Sequence, residues 1–216
     1  MPSTATDPTP VDVPPDAAAV ARRYLRLERP ATAAVTLLAA VAGAAAVLSL
    51  ALAPALAVVV GIVAALRAPL FRKRGSATLR TDADAETVRA DFEGATPPPL
   101  AIQWGVADAV SRTDDGARYE VSYLFGLQSQ TLAVERARPS NADVELVVTA
   151  DEEPWATYTA TVAEQDGETR VSVAWVSDRR FGLRRLPQEL VARRYRDAAL
   201  AAQGYEVEAR DGGIVR

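Results

Sequence analysis

Carboxylate side chains are the first candidates for chemistry in this 216-residue chain. They occur close together at Asp82 and Asp84, at Asp114 and Asp115, and at residues 151–153. Paired carboxylates can act as general acid and base, or bind a hard cation such as Mg²⁺ or Ca²⁺. Each set falls at a predicted helix cap or turn, however, where aspartate is favoured for local hydrogen bonding. We therefore predict no catalytic residue and no metal ligand.

Histidine and cysteine are both absent from the sequence. Without histidine the chain lacks the usual general base near neutral pH, and without cysteine it has no disulfide or thiol nucleophile. There is also no Gly-rich phosphate loop, Walker motif or dinucleotide fingerprint. Serine–histidine hydrolases and zinc hydrolases are thereby excluded. We expect no cofactor, and we favour a protein that is not an enzyme.

Aromatic side chains are the candidates for binding an apolar ligand. If the predicted sheet curls around the last helix, several of them line one interior, and the candidates are Trp104, Tyr123, Phe125, Trp155, Trp175 and Tyr195. The alternative is ordinary core packing, because aromatic side chains dominate the cores of many proteins. Whether the interior is filled or hollow decides between the two.

Arginine is concentrated around the predicted last strand and helix, although residues 75–216 carry sixteen basic and twenty-four acidic side chains. The candidates for a membrane surface are Arg179, Arg180, Arg184 and Arg185, which could contact anionic lipid headgroups. The alternative is a solvated helix face in which arginine pairs with Glu189 and Asp197. The acidic balance predicts no binding of nucleic acid.

Lys73 is the only lysine among 24 basic residues. Arginine in place of lysine is typical of a GC-rich genome, and together with the acid excess it indicates a halophilic, haloarchaeal-type protein. GC bias alone explains the arginine but not the acidic residues.

An uncharged run of 36 residues extends from Ala31 to Leu66. One helix of that length would reach about 54 Å, whereas the hydrocarbon core of a bilayer is about 30 Å thick. A turn near residues 49–54 would divide the run into two short membrane spans. Arginine at both ends predicts that the N-terminus and the C-terminal domain are both cytoplasmic.

Two alternatives to a membrane hairpin remain. Ala51-Leu52-Ala53 and Ala55-Leu56-Ala57 resemble signal-peptide cleavage sites, but an equally apolar segment follows them. A buried core hairpin is the other, and the all-round apolar character argues against it. We therefore divide the chain into a disordered tail (1–16), a juxtamembrane helix with a two-helix transmembrane hairpin (17–74), and one further domain (75–216). Asp16 is predicted to cap the juxtamembrane helix, with Pro30 just beyond its end.

Residues 75–216 are predicted to form strands framed by two helices. Thr81 or Asp82 is predicted to cap the first helix, which ends near Glu93, and the last helix begins near Leu186 and ends at Gly204. Alternating apolar residues or turn-bounded apolar segments predict seven strands, at 76–80, 100–112, 118–125, 129–138, 143–150, 155–164 and 168–177. Residues 205–208 fit a short strand or an extended tail.

This order of elements resembles the START-like helix-grip superfamily, also called SRPBCC. The matching parts are Ser76–Thr81, the helix-opening phrase that follows it, six further strands, and the helix that begins at Leu186. The likeness covers about residues 76–204 and rests on element order rather than on a diagnostic motif. The family's opening part often has two helices, whereas only one is predicted here.

The resemblance implies an α+β fold in which a curved antiparallel sheet of about seven strands wraps a long C-terminal helix. It also implies a cavity between sheet and helix for a lipid or another apolar ligand. The leading hypothesis is thus a membrane-anchored domain that binds such a ligand, with the lipid bilayer as a partner. A non-catalytic interaction module at the membrane, and a polyketide-cyclase-like enzyme, are the alternatives.

Overall fold

A nine-stranded antiparallel sheet forms the centre of the molecule. The computed structural model describes residues 9–68, 71–123, 128–137, 141–165, 167–180, 182 and 186–215. The strands are β1 (Thr9–Pro10), β2 (Arg72–Thr81), β3 (Ala109–Thr113), β4 (Gly116–Tyr123), β5 (Gln128–Ala137), β6 (Val144–Ala150), β7 (Glu153–Gln165), β8 (Glu168–Ser177) and β9 (Glu206–Val215). Their order across the sheet is β1-β3-β4-β5-β6-β7-β8-β2-β9.

The prediction of about seven strands is wrong by two edge strands. The seven predicted strands correspond to β2–β8, while β1 adds to the edge at β3 and β9 adds to the edge at β2. Both additions pair backbone groups that an open sheet edge would leave exposed. Residues 9 and 10 of the predicted disordered tail are therefore held in the sheet, where Val11 N–H also donates to Val110 O. Residues 1–8 lie outside the described part of the chain.

Three helices pack against the sheet in one hydrophobic core: α3 (Ala85–Glu93), α4 (Ala101–Gly105) and α5 (Leu186–Ala201). Together with β2–β8 they give the α+β helix-grip arrangement that the sequence predicts. The first of them begins after Asp84 rather than at Thr81 or Asp82, because the Asp84 carboxylate accepts hydrogen bonds from Thr87 N and Thr87 Oγ1, both at 2.8 Å. These two bonds hold the pKa of Asp84 below its usual range.

The strand predicted for residues 100–112 is wrong in its first half. A 3₁₀ turn at Pro98–Leu100 leads directly into α4, and β3 begins only at Ala109. Proline fits the first turn of a helix because its φ is fixed near the helical value and its missing N–H has no partner to lose there. The opening part of the fold thus has two helices, α3 and α4, where the sequence predicted one.

The longest helix, α1 (Pro15–Ser49), passes through Pro30 without ending. The predicted juxtamembrane helix therefore neither begins at an Asp16 cap nor stops before Pro30: its N-cap position is Pro14. Tertiary packing on both sides of Pro30 explains the continuity. Before Pro30 the helix packs on α4 and α5, and after it the helix packs on α2 (Leu52–Arg67).

The second part of α1 (residues 33–49) and α2 form an antiparallel pair, which we call the apolar hairpin. Gly43 faces Val59 across it, since a Cβ on Gly43 would lie 3.7 Å from Val59 Cγ2. The predicted turn near residues 49–54 is confirmed at Leu50 and Ala51. Among the described residues, no helix is long and apolar enough to cross a membrane. The two predicted membrane spans are therefore not supported.

The apolar hairpin exposes most of its large side chains. Leu48 and Leu52 at the tip are 87% and 84% exposed. The exposed large apolar residues on the hairpin are Leu37, Leu38, Val41, Val47, Leu48, Leu50, Leu52, Leu56, Val58, Val60 and Val63. Such a concentration is rare on a monomer surface in contact with water and marks an interaction site.

The contact between α1 and α4 depends on a glycine. A Cβ on Gly105 would lie 2.7 Å from Ala21 Cβ and 3.4 Å from Ala18 Cα, and both alanines are buried. We expect Gly105→Ala to lower the free energy of unfolding by about 1–3 kcal/mol, since the added methyl overpacks the contact. Thermal unfolding of the purified protein, followed by circular dichroism, measures the effect.

Gly61→Ala is the matched control, because no atom lies within 4 Å of a Cβ at that position of α2. Alanine in an exposed helix is favoured over glycine by about 0.5–1 kcal/mol, so this variant should be as stable as the wild type or more so. Equal stability of the two variants would show that α1 does not pack closely on α4.

Candidate functional site

The concave side of the sheet is packed solid at the end covered by α3 and α4. Side chains that are at most 2% exposed fill this end: Phe92, Leu100, Trp104, Tyr119 and Tyr205. The Trp104 indole N–H donates to Pro97 O at 3.0 Å, and the rings of Phe92 and Tyr205 meet edge to face at 6.0 Å between centroids. Trp104, predicted as a cavity residue, is thus a core residue on a helix rather than on a strand.

Two buried tyrosines at this end were not predicted as site residues. Tyr119 donates its hydroxyl hydrogen to Ala95 O at 3.0 Å, and Tyr205 donates to the Asp91 carboxylate at 2.9 Å. Burial raises the pKa of both hydroxyls, and the hydrogen bond to Asp91 raises that of Tyr205 further. Both hydroxyls are therefore neutral donors with occupied partners. The alternation of β4 identifies Tyr119 as inward-facing, whereas no local pattern marks Tyr205.

A narrow apolar gap without room for a water-sized sphere lies between α3 and the middle of the sheet. Its walls come from α3, the 3₁₀ turn and strands β6–β8, and its lining residues are Phe92, Pro99, Val144, Leu146, Tyr158, Thr159, Ala160 and Val173. Pockets for drug-sized ligands usually have about 300–1,000 Å³. Within the described residues, the space between α3 and the sheet therefore holds an apolar gap but no cavity large enough for a drug-sized ligand.

Aromatic side chains that are only partly buried lie at the opposite end of the concave face. Trp155 and Trp175, both predicted cavity residues, are partly buried against the core. Trp175 on β8 is the register partner of Tyr158, and Trp155 lies three residues before Tyr158 on β7. Gly75 lies directly beside the Trp175 ring: a Cβ on Gly75 would come within 2.6 Å of Trp175 Cζ2. The guanidinium of Arg210 is 5.7 Å from the same ring centroid, a cation–π distance.

The three side chains Trp155, Tyr158 and Trp175 are called the aromatic mouth below. They lie near the start of β2, because Gly75 pairs with Trp175 and β2 begins at Arg72, shortly after the end of α2. The mouth is therefore at the end of the sheet nearest to the base of the apolar hairpin.

The remaining predicted cavity residues do not join this group. The Tyr195 ring on α5 packs against Tyr24 of α1, with 6.0 Å between centroids and 59° between planes. The Tyr123 side chain and Phe125 lie outside the described residues. The structure thus places two of the six candidates, Trp155 and Trp175, on the neighbouring strands β7 and β8, and it adds Tyr158.

The predicted membrane-surface arginines lie on the segment that follows β8. Arg179 donates to Ala150 O at 3.2 Å and forms an ion pair with Glu153 at 2.6 Å, whereas Arg180 is exposed. This segment touches the end of α2, since a Cβ on Gly182 would lie 3.0 Å from Ala68 O. Arg184 and Arg185 lie outside the described residues.

A wide surface groove of about 580 Å³ separates the end of α5 from β9. Arg210 lies in it and forms an ion pair with Asp197 at 2.5 Å, and Arg193 donates to Gly212 O at 3.1 Å. Burial lowers the pKa of Arg210, although arginine remains charged at any physiological pH. The groove walls are otherwise small, apolar or acidic: Ala198, Ala201, Gly204, Tyr205, Glu206 and Val207.

The acidic clusters have local structural roles. Arg136 donates to the backbone carbonyls of Asp114 and Asp115, and the Asp151 carboxylate accepts from Thr131 N at 2.9 Å. Within the described ranges no group of acidic side chains is placed to hold a metal ion.

Comparison with known proteins gives solved structures only: no family model and no curated protein matches the chain. A START superfamily protein from Mycobacterium smegmatis is 16% identical, with a TM-score of 0.40 over 61% of this chain and 97% of its own. Ara h 8.0201 is 7% identical, with a TM-score of 0.40 over 60% and 96%.

A third structure, the di-domain ARO/CYC BexL from the BE-7585A biosynthetic pathway, is 19% identical. Its TM-score is 0.35 over 69% of this chain and 52% of its own. Because all three TM-scores are below 0.5, these likenesses carry no argument about ligand or activity. Both have to be inferred from the geometry of the chain itself.

Proposed function

We propose that this protein is a membrane-anchored helix-grip domain that takes up an apolar group, such as a lipid acyl chain, at the aromatic mouth. The observation that carries the proposal is the position of the mouth: partly exposed aromatic side chains lie at the end of the grip nearest to an exposed apolar hairpin. An apolar ligand that leaves a bilayer beside the hairpin would meet the mouth first.

Exposure of the hairpin supports the anchoring part of the proposal. Its leucine and valine side chains have no protein partner among the described residues that removes them from solvent, and burying each in lipid would gain about 1.5–3 kcal/mol. Each arm rises about 25 Å, against about 30 Å for the hydrocarbon layer. Both arms start from arginine-bearing segments, which by the positive-inside tendency are cytoplasmic.

Uptake of a ligand requires the grip to open further. The gap beside Tyr158 has no room even for a water-sized sphere, so an apolar group could enter it only after its walls move apart. Its walls are apolar or aromatic except for Thr159, and no charged side chain lines it. The proposed chemistry is therefore reversible burial of an apolar group without a covalent step.

Native mass spectrometry of the protein extracted from membranes tests this proposal. We expect the wild type to carry a co-purified lipid-sized adduct, and Ala160→Phe to lose it because the new ring fills the gap. Ala174→Phe is the control, since Ala174 lies on the exposed side of neighbouring strand β8. A wild type without any adduct, or an adduct retained equally by both variants, would contradict uptake at this gap.

The filled interior at the α3–α4 end favours a second candidate, a non-catalytic interaction module. In that case the apolar hairpin packs on another membrane protein and the grip serves only as a rigid body. A polyketide-cyclase-like activity has less support, because the hydroxyls of Tyr119 and Tyr205 are both occupied by acceptors. Adduct-free protein that co-purifies with one partner would favour the interaction module.

A further inference from the structure

Exposed arginines surround the base of the apolar hairpin, and we call this set the arginine belt. It comes from four segments: α1, the end of α2, the start of β2 and the residues that follow β8. The members are Arg22, Arg23, Arg26, Arg67, Arg72, Arg74 and Arg180.

The two arms of the hairpin carry their first exposed arginines at different depths below a common contact. Val59 of α2 faces Gly43 of α1, so with antiparallel arms Arg67 lies about 12 Å below that contact. Arg26 lies about 25 Å below it on the other arm. Between these two arginines and the tip of the hairpin, the described side chains of both arms are uncharged.

The other two segments are tied to the end of α2, one by the length of the connecting chain and the other by a backbone contact. Arg72 follows Arg67 by five residues, so the chain holds it within about 18 Å. Arg180 precedes Gly182 by two residues, and Gly182 lies against the backbone of Ala68 at the end of α2. α1 is held beside α5 by the contact of Tyr24 with Tyr195.

Acidic side chains also lie near the belt: Asp211 is the register partner of Ser76, two residues after Arg74. Asp178 is exposed next to Arg179, which already pairs with Glu153, and Glu28 follows Arg26 in the sequence. Elsewhere the domain carries an excess of acid, sixteen basic against twenty-four acidic side chains over residues 75–216. The exposed arginines therefore concentrate near the base of the apolar hairpin, although residues 75–216 as a whole are acidic.

We propose that the arginine belt docks the domain on anionic phospholipid headgroups around the inserted hairpin. Guanidinium groups bind phosphate through paired hydrogen bonds. A headgroup layer is also the only phosphate-rich surface that a membrane-inserted hairpin would bring to its own base. This inference rests on the proposed membrane anchoring. It adds the class of lipid that the domain would contact, namely anionic phospholipids.

The test reconstitutes the full-length protein in phosphatidylcholine nanodiscs that contain a trace of spin-labelled phosphatidylglycerol or spin-labelled phosphatidylcholine. Electron paramagnetic resonance gives the fraction of each label that the protein immobilises. We expect wild type to prefer the anionic label, and R26Q/R67Q/R72Q to lose at least about fivefold of that preference. Salt at 1 M, where the Debye length is about 3 Å, should abolish it in both.

R112Q/R118Q/R136Q is the matched control, since these arginines lie on β3–β5 toward the other edge of the sheet. It should keep the wild-type preference. Immobilisation of both labels without preference in wild type, or equal loss in the two triple variants, would overturn the belt while leaving the anchor intact. Absence of any immobilised lipid would instead overturn the anchor and, with it, the belt.

Discussion

Replacing Leu38 and Val60 with arginine is expected to move the protein from the membrane fraction to the supernatant of cell lysates. Both residues lie near the middle of their hairpin arms, and they are 69% and 58% exposed. An arginine at the centre of a membrane-embedded helix costs about 2.5–3.5 kcal/mol. Two such costs lower the membrane partition by a factor on the order of 10³ or more.

Leu27→Arg is the control for that double variant. Leu27 is on α1, the same helix as Leu38, and is 51% exposed. It lies outside the apolar hairpin, among the arginines of α1. It should therefore leave the protein in the membrane fraction. If Leu38→Arg/Val60→Arg stays membrane-bound as well, the hairpin is not the anchor.

The second large effect is expected for Trp104→Ala, which should lower the free energy of unfolding by about 3–5 kcal/mol. Trp104 is a residue of α4 and is completely buried, and its indole N–H donates a hydrogen bond to Pro97 O. The variant removes the largest side chain of the packed end and leaves that carbonyl without its partner. Urea titration of the detergent-solubilised protein, followed at the β-sheet band of the circular dichroism spectrum, measures the loss.

Two comparisons separate the contributions at Trp104. Trp104→Phe keeps most of the apolar volume and should lose about 1–3 kcal/mol, mainly through the unsatisfied carbonyl. Trp155→Ala at the aromatic mouth should lose less than Trp104→Ala, because Trp155 is only partly buried. If Trp155→Ala destabilises the protein as much as Trp104→Ala, the mouth is part of the core and not an opening.

The strands were predictable because their side chains alternate strictly. In β6 the residues Val144, Leu146, Val148 and Ala150 point into the core while their neighbours do not. In the segment 100–112 the same reasoning is wrong. Ile102, Val106 and Val110 are four residues apart, a spacing that fits one face of a helix and one face of a strand equally. Pro97 to Pro99, interpreted only as a helix end, also starts the next helix.

The edges of the fold were harder to predict because they depend on contacts with distant residues. Residues 206–215 contain charged residues and two glycines, which disfavour a strand in isolation. The close approach of Gly212 to Gly75 and the ion pair of Arg80 with Glu206 nevertheless hold β9 against β2, and Arg170 of β8 forms a further ion pair with Glu208 of β9. Such cross-strand partners cannot be identified before the register is known.

The candidate site was predictable in residue type but not in location. Aromatic residues on strands were expected to line one interior, yet α3 and α4 fill one end of it and leave the other end partly open. Which end is filled depends on the direction in which the Phe92 and Trp104 side chains point, and no local sequence pattern predicts that direction. The halophilic character, the cytoplasmic orientation and the predicted roles of Arg184 and Arg185 stay predictions.

Single cysteines test the central claim most directly, because the native chain has none. Leu38→Cys, Val60→Cys and Leu27→Cys are each prepared in the full-length protein and treated in intact membranes with a maleimide that reaches only water-exposed thiols. We predict that Leu27→Cys reacts from the side that carries the domain, while Leu38→Cys and Val60→Cys react only after detergent and denaturant are added. Labelling of all three at similar rates in intact membranes would contradict a hairpin that anchors the domain in the bilayer.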